Sequence, residues 1–309
     1  MTTVCALAGG VGAARMLLGL SAATDPSLIT AVVNTGDDLD LHGLRICPDL
    51  DTVTYTLAGA NDAERGWGLA GETWQAMEML ADYGGAAWFR LGDRDLGTHL
   101  YRTDRLADGA SLTTVTAEIA ARWAISVRLL PMTDDRVATR ITLAETGEEV
   151  GFQEYFVARQ HGVAVSAVRF AGAETAAPAP GVLDAIAAAD RVVICPSNPI
   201  VSIEPILTVP GARDAVTARR DDVVAVSPIV AGAALKGPAD RLLRELGHEP
   251  TVVGVARIYA PYAATLVVDE ADAGLAAAVE AEGVRAVVVP TVMRDPETAA
   301  ALGRVVVGK

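Results

Sequence analysis

Between Val32 and Asp51 the chain reads VVNTGDDLDLHGLRICPDLD, with Asp37, Asp38, Asp40, Asp49 and Asp51 close together just after an apolar run. Carboxylates crowded at the end of a buried strand repel one another and are costly to desolvate unless a cation or donors sit among them. Three arrangements meet that need. One acidic residue there can hold a ribose, as in nicotinamide-dependent enzymes, but five exceed what a ribose requires. A solvated acidic loop is the second, with Asp51 as N-cap of the apolar helical run that follows it. The third, ranked first, is a divalent metal: magnesium takes one or two carboxylates and fills its octahedron with water and substrate phosphates. For Asp51 the cap and the metal are compatible.

A second chemical motif is Ala8-Gly-Gly-Val-Gly-Ala-Ala-Arg15, a Gly-rich turn at a strand-to-helix junction. Glycine lets backbone amides and a helix N-terminus approach a phosphate without a Cβ in the way. No Gly-Lys-Ser/Thr follows, so it is not a Walker A loop. With Arg15 where a third glycine belongs, it is an incomplete dinucleotide fingerprint. Pro196-Ser-Asn-Pro199 and Ser227-Pro228 each follow an apolar strand, where loops lie at the carboxyl edge of a parallel sheet. Gly9 to Gly12, Asn34 to Asp38, Ser197 to Asn198 and Ser227 are thereby expected to converge; the bland reading of Asn198 is an Asx cap. Arg90, Asp93, Arg94, Asp95 and His99 form a mixed-charge patch, either a salt-bridged turn or a place for an anion or polar heterocycle. The four histidines form no cluster, and no Ser-His-Asp or Cys-His arrangement supports nucleophilic hydrolysis.

The elements that must position these residues follow from periodicity. Val4–Ala8, the Gly-rich turn, a helical stripe through Met16, Leu17 and Leu20, and a strand at Leu28–Val33 make a βαβ unit. From Asp51 to about Trp123 the strand signal disappears. Helices are expected at Thr52–Leu57, Glu72–Ala81 and Leu112–Trp123, separated by Gly-rich, charged segments, so residues 51–124 read as a helical subdomain inserted in a core of 1–50 and 125–309. A strand at Val127–Leu130 and a hairpin of Val137–Leu143 with Val150–Val157 follow, then a helix at Val182–Ala189. Strands are expected at Val192–Cys195, Val223–Val226, Thr251–Ile258, Thr265–Val268 and Ala286–Val289, with a helix at Gly274–Ala281. Crossovers of these lengths favour an α/β fold, Rossmann-like, with a largely parallel doubly wound sheet.

Bulk properties narrow the partners. A formal charge of −14 over 309 residues argues against nucleic acid or an anionic membrane surface. Lys236 is the only lysine before Lys309, so phosphate chemistry must use arginine, metal or backbone N–H. Cys5, Cys47 and Cys195 lack metal-ligand or disulfide spacing. The N-terminus has no basic region ahead of its apolar run, and no run is long enough to span a membrane. A reduced, soluble, cytoplasmic protein is the expectation.

Taken together, GGVGAARMLLGL, VVNTGDDLDLHGLRICPDLDTVTYTL, RGWG, LGDRDLGTHLYRT, LLPMTDD, PSNPIVSIEPIL and SPIVAGAALKGPA closely resemble the 2-phospho-L-lactate transferase family, which includes bacterial phosphoenolpyruvate transferases. The motifs run from the first strand to about Leu243; the last sixty residues match in pattern only. The resemblance implies a Rossmann-like core with a small helical subdomain, a homodimer, and a Mg²⁺-assisted transfer in biosynthesis of the deazaflavin coenzyme F(420). The group moved is phosphoenolpyruvyl or phospholactyl, from a guanosine diphospho donor to the ribityl hydroxyl of the deazaflavin FO, with release of GMP. It also implies metal ligation by Asp37 and Asp51 with Asp38 alongside, catalytic roles for Asp51 and Asp37, and deazaflavin contacts at Asp51 and Arg90. The nucleotide falls to Gly9, Gly10, Gly12, Ala13, Ser197 and Asn198. The alternative is a nucleotide-sugar-binding regulatory protein on a related fold without transferase activity; a nicotinamide dehydrogenase is a distant third.

Overall fold

Strand β1 (Val4–Ala8) is buried along its whole length, and its side chains divide by period two between two cores. Cys5 and Leu7 face one core; Val4, Ala6 and Ala8 face the other. A strand covered on both sides reads as a continuous apolar run, as in a parallel sheet sandwiched by helices. The computed structural model, described here for residues 2–308, places β1 third from one end of a seven-stranded sheet. The others are β2 (Ile29–Val33), β3 (Arg128–Pro131), β4 (Arg191–Ile194), β5 (Val223–Val226), β6 (Thr265–Val268) and β7 (Arg285–Val288), in the order β7-β6-β5-β4-β1-β2-β3. All neighbours are parallel; Val4 pairs with Ile29 on one side and Arg191 on the other. The fold is an α/β, Rossmann-like one. The strand order reverses between β1 and β4, so a crevice opens beyond their carboxyl ends.

Helix α1 (Gly10–Ala23) sends Met16, Leu17 and Leu20 into the second core. There it meets Leu302 and Val306 of the C-terminal helix, Pro296–Val307. The two helices touch backbone to backbone: a Cβ on Gly19 would stand 2.2 Å from the Ala299 carbonyl oxygen, and one on Gly303 2.2 Å from that of Gly19. This last helix had no counterpart in the sequence reading.

Four helices lie between β2 and β3: α2 (Pro48–Leu57), α3 (Gln75–Asp82), α4 (Asp95–Ala107) and α5 (Leu112–Arg122). Leu50 and Val53 of α2 and Leu112 and Ala120 of α5 belong to the α1 core. Met77 of α3 instead joins Ile46 and Leu91 in a small separate core, with Leu39, Leu41 and Leu44 of a β-hairpin packed against it.

Several expectations need correction. Thr251–Ile258 is not a strand but a helix, Val252–Tyr259, capped by the Thr251 hydroxyl on the Gly254 amide. Residues 252–256 are buried at every position and so carry no period, and the cap decided what hydropathy could not. The second hairpin arm ends at Gly151, not Val157; a wide helical turn, Glu154–Ala158, follows, and Val165–Ala171 supplies a third strand beside Ala138–Leu143. Helix α4 replaces part of the presumed charged spacer around Gly92 to His99. No helix among the described residues is long and apolar enough to cross a membrane.

Candidate active site

The loops after β1 and β4 are clamped together. The Ser197 hydroxyl donates to the Gly9 carbonyl at 2.8 Å, and a Cβ on Gly12 would lie 2.2 Å from the Pro196 carbonyl oxygen. Gly9 is equally confined, with Ser202 Cβ and Asp49 Oδ2 within 2.8 Å of where its Cβ would be. Gly10 has φ +71°, a backbone that glycine adopts without strain. Ala13 lies wholly in the core and offers the site only backbone. The Asn198 side chain accepts from the Ile200 amide at 2.9 Å and the Val201 amide at 3.4 Å, so it caps the helical turn that begins at Pro199. Ser227 folds onto itself, its hydroxyl bonded to Ile229 backbone, and does not join the other three loops through any such contact.

The aspartates split into three settings. Asp49 accepts from the Gly10 amide and from Asn34 Nδ2, both at 2.9 Å, tying the β2 loop to the Gly-rich turn. Burial pushes its carboxyl up to about 6, the two donors opposing the rise. Asp37 is buried nearby; desolvation first, and then the Asp49 charge, raise it well above the carboxylate range. Asp38 is pushed up to about 7 by burial, against the pull of Arg45 at 3.0 Å and the Cys47 thiol, which donates to it at 3.0 Å. Asp51 is not the helix cap expected of it: α2 begins at Pro48, leaving Asp51 in the first turn with both oxygens accepting from Arg102. Asp40 is exposed and pairs with Arg136.

Asp95, His99 and Arg102 share one face of α4. His99 Nε2 is 3.3 Å from Asp95 Oδ2, and Tyr55 donates to Asp95 Oδ1 at 2.5 Å. Burial favours the protonated Asp95, but His99, Tyr55 and Arg102 together hold its carboxyl below the ordinary value. Ligand atoms of Asp51, Asp95 and His99 lie within 4.8 Å of one another. The mixed-charge patch proves partly structural. Asp93 accepts from the Gln75 and Ala76 amides at the start of α3, and Glu72 from those of Arg94 and Asp95 at the start of α4. Arg90 is exposed, its guanidinium 4.3 Å from the Trp74 ring centroid; Arg65 is 5.3 Å from the same centroid, and Trp67 packs on Trp74 at 6.0 Å.

Whether these residues suit a cation can be judged from their unmet oxygens. Oδ1 of Asp37 and Oδ1 of Asp38 are buried without a hydrogen-bond partner among the described residues. Of the buried carboxylates at positions 37, 38, 49 and 51, Asp38 pairs with Arg45 and Asp51 with Arg102, while Asp37 and Asp49 have no ion pair among the described residues. The uncompensated remainder and the hard oxygen donors fit Mg²⁺ or a similar cation. Sequence reasoning placed Asn34 in a converging loop without its bond to Asp49, and missed Arg45, Arg102 and the part played by Asp95 and His99. Asp95, His99 and Arg102 stand at i, i+4 and i+7, a stripe that could have been read as one helix face.

The model of the family described as 2-phospho-L-lactate transferase CofD matches residues 4–305, well past Leu243. A phosphoenolpyruvate transferase of Streptomyces griseus is 48% identical over 305 residues, covering 97% of this chain and 96% of its own. One from Kitasatospora aureofaciens is 50% identical over 306 residues, with 97% and 95% coverage. A solved member of the UPF0052 family from Bacillus halodurans superposes with TM-score 0.61 at 16% identity, covering 99% and 98%, a likeness of fold alone.

Proposed function

The chain belongs to the 2-phospho-L-lactate transferase family, as an enzyme of the phosphoenolpyruvate transferase type in coenzyme F(420) biosynthesis, and from that premise we propose which groups it joins. The donor is a guanosine diphospho compound carrying an enolpyruvyl group, and the acceptor is the ribityl hydroxyl of FO. That hydroxyl oxygen bonds to the phosphorus bearing the enolpyruvyl group, the anhydride bond breaks, and GMP leaves. The name shared by the most similar relatives favours enolpyruvyl over lactyl.

The observation that carries this reading is the crevice between β1 and β4, where the Gly-rich helix start is tied to Asp49 and the Asp49 charge acts on Asp37, a buried carboxyl with an unmet oxygen. The first turn of α1 and the Pro196–Asn198 loop receive the diphosphate, with backbone amides as donors. Asp37 and Asp51, with Asp38 alongside, would hold Mg²⁺, which when bound neutralises charge on the transferring and leaving phosphates. Asp51 aligns the acceptor hydroxyl and takes its proton. Arg90 and its tryptophan neighbours offer a flat, cationic surface suited to a deazaflavin ring.

Incubating the purified chain with FO, Mg²⁺ and either the enolpyruvyl or the lactyl guanylated donor, then weighing the products, tests the proposal. The enolpyruvyl adduct of FO and one equivalent of GMP are expected. No adduct with either donor would refute it.

A further inference from the structure

Arg102 is among the most deeply buried large side chains of the protein, yet it carries a permanent charge. A guanidinium in such a place is destabilising unless its fork is filled. Both terminal nitrogens of Arg102 reach Asp51, NH1 at 3.2 Å to Oδ2 and NH2 to Oδ1. NH1 also lies 3.3 Å from the Arg45 carbonyl and 3.2 Å from His99 Nδ1. His99 Nε2 stands 3.3 Å from Asp95 Oδ2, and Tyr55 donates to the other oxygen of Asp95. The contacts thus run from one partner to the next, from α2 into α4.

We propose that Arg102 is a positioning residue: its fork sets the plane of the Asp51 carboxylate, so that the lone pairs it leaves free point into the site. This deepens the functional reading above and rests on the role given there to Asp51. The physical basis is the difference between a fork and a point charge. A bidentate guanidinium fixes both the position and the plane of a carboxylate, whereas an ammonium fixes only a distance. A carboxylate oxygen has two lone pairs, so accepting from Arg102 leaves one on each oxygen for a cation or a hydroxyl. Partners that orient a metal-binding carboxylate in this way typically change metal affinity about 10–100-fold when removed. The chain Asp51–Arg102–His99–Asp95 also explains why α4 carries a buried charged stripe where an apolar one would pack more simply.

The test uses the full chain and two readouts. Arg102→Lys keeps the charge and loses the fork. Calorimetric titration with Mg²⁺ is expected to show about tenfold weaker binding than the unaltered chain, at a melting temperature changed by only a few degrees. Glu118→Gln, which breaks the half-buried Arg105–Glu118 pair between α4 and α5, controls for loosening of the helix and leaves affinity unchanged. In the transfer assay Arg102→Lys lowers kcat about tenfold with KM for donor and acceptor held within a factor of two. Should the lysine variant not fold, His99→Gln, one contact further out, is expected to lower Mg²⁺ affinity in the same direction by a few fold. Unchanged Mg²⁺ affinity in Arg102→Lys, an equal loss in Glu118→Gln, or no Mg²⁺ binding by the unaltered chain would overturn the assignment. The expected calorimetric pattern in a chain that transfers nothing to FO would sink the transferase reading and leave the role of Arg102 standing.

Discussion

Asp37 and Asp51 differ in what replacing them tests. Asp37 has a buried oxygen with no hydrogen-bond partner and a carboxyl raised by burial and by Asp49. Asp37→Asn therefore keeps the neutral state that burial favours and removes the negative charge that a bound cation would call for. Its melting temperature is expected to hold or rise while turnover falls at least about a hundredfold, the scale of losing an electrostatic contact to the transition state. Near-normal turnover in that variant would remove Asp37 from the site. Asp38 supports a prediction on pH. Its carboxyl sits at about 7 in the folded chain against an ordinary 3.8, so the folded state keeps a proton that the unfolded state releases. Stability from this group is complete below about pH 4 and is lost as the pH climbs toward 7. At about 1.4 kcal/mol per pH unit, the loss is on the order of 4 kcal/mol. Asp49, raised to about 6, acts in the same direction. Without divalent metal, the melting temperature should decline between pH 4 and 7, less steeply in Asp38→Asn, and Mg²⁺ should restore it at neutral pH. A flat profile in the unaltered chain would contradict the burial argument.

At the scale of elements, the contact to break is that between the two loops at the crevice. Gly12→Ala would place a methyl 2.2 Å from the Pro196 carbonyl oxygen, a backbone atom that cannot swing aside. The loops must part, and the first turn of α1 moves with them. Binding of GMP, measured by calorimetry, is expected to weaken at least about tenfold, since a misplaced anion site loses several amide contacts at once. Wild-type affinity would show that the clamp is dispensable. The elements also explain what could be read without coordinates. Val4–Ala8 and Thr265–Val268 were legible because a fully buried parallel strand is short, apolar and bounded by turns. The Gly-rich turn was legible because glycine is there for geometric reasons. Val252–Tyr259 misled because it is equally apolar, and only the cap at Thr251 separates it from a strand. Helix α4 was hidden by its own chemistry: Asp95, His99 and Arg102 occupy positions that hydropathy expects to be apolar. The same charges that obscured the helix supply the contacts around Asp51. Candidate site residues chosen for their backbone, such as Gly9 and Gly10, could be found by type, whereas the Asn34–Asp49 and Arg102–Asp51 contacts became visible only once β2, α2 and α4 were brought together.

The whole molecule is built on a parallel sheet in which β1 lies between β2, the next sheet strand in the chain, and β4, which comes from far along it. The close crossing of α1 with the C-terminal helix joins Gly19 to Ala299 and Gly303. Gly303→Ala, which would set a methyl 2.2 Å from the Gly19 carbonyl oxygen, is expected to lower the melting temperature and weaken GMP binding together, because α1 bears the Gly-rich turn at its other end. Loss of stability with undiminished GMP affinity would confine the crossing to a packing role. The crossing also orders events in time. A ribosome delivers α1 well before the residues that clamp it, so over that interval the helix has no partner on that side. Contacts this distant in sequence close slowly and only after their loop entropy has been met. A nascent chain arrested before Pro296 should therefore remain open to protease around α1, and full release should close it within the same experiment. In this protein the Gly-rich turn and its helix are made well before the helix that completes their packing.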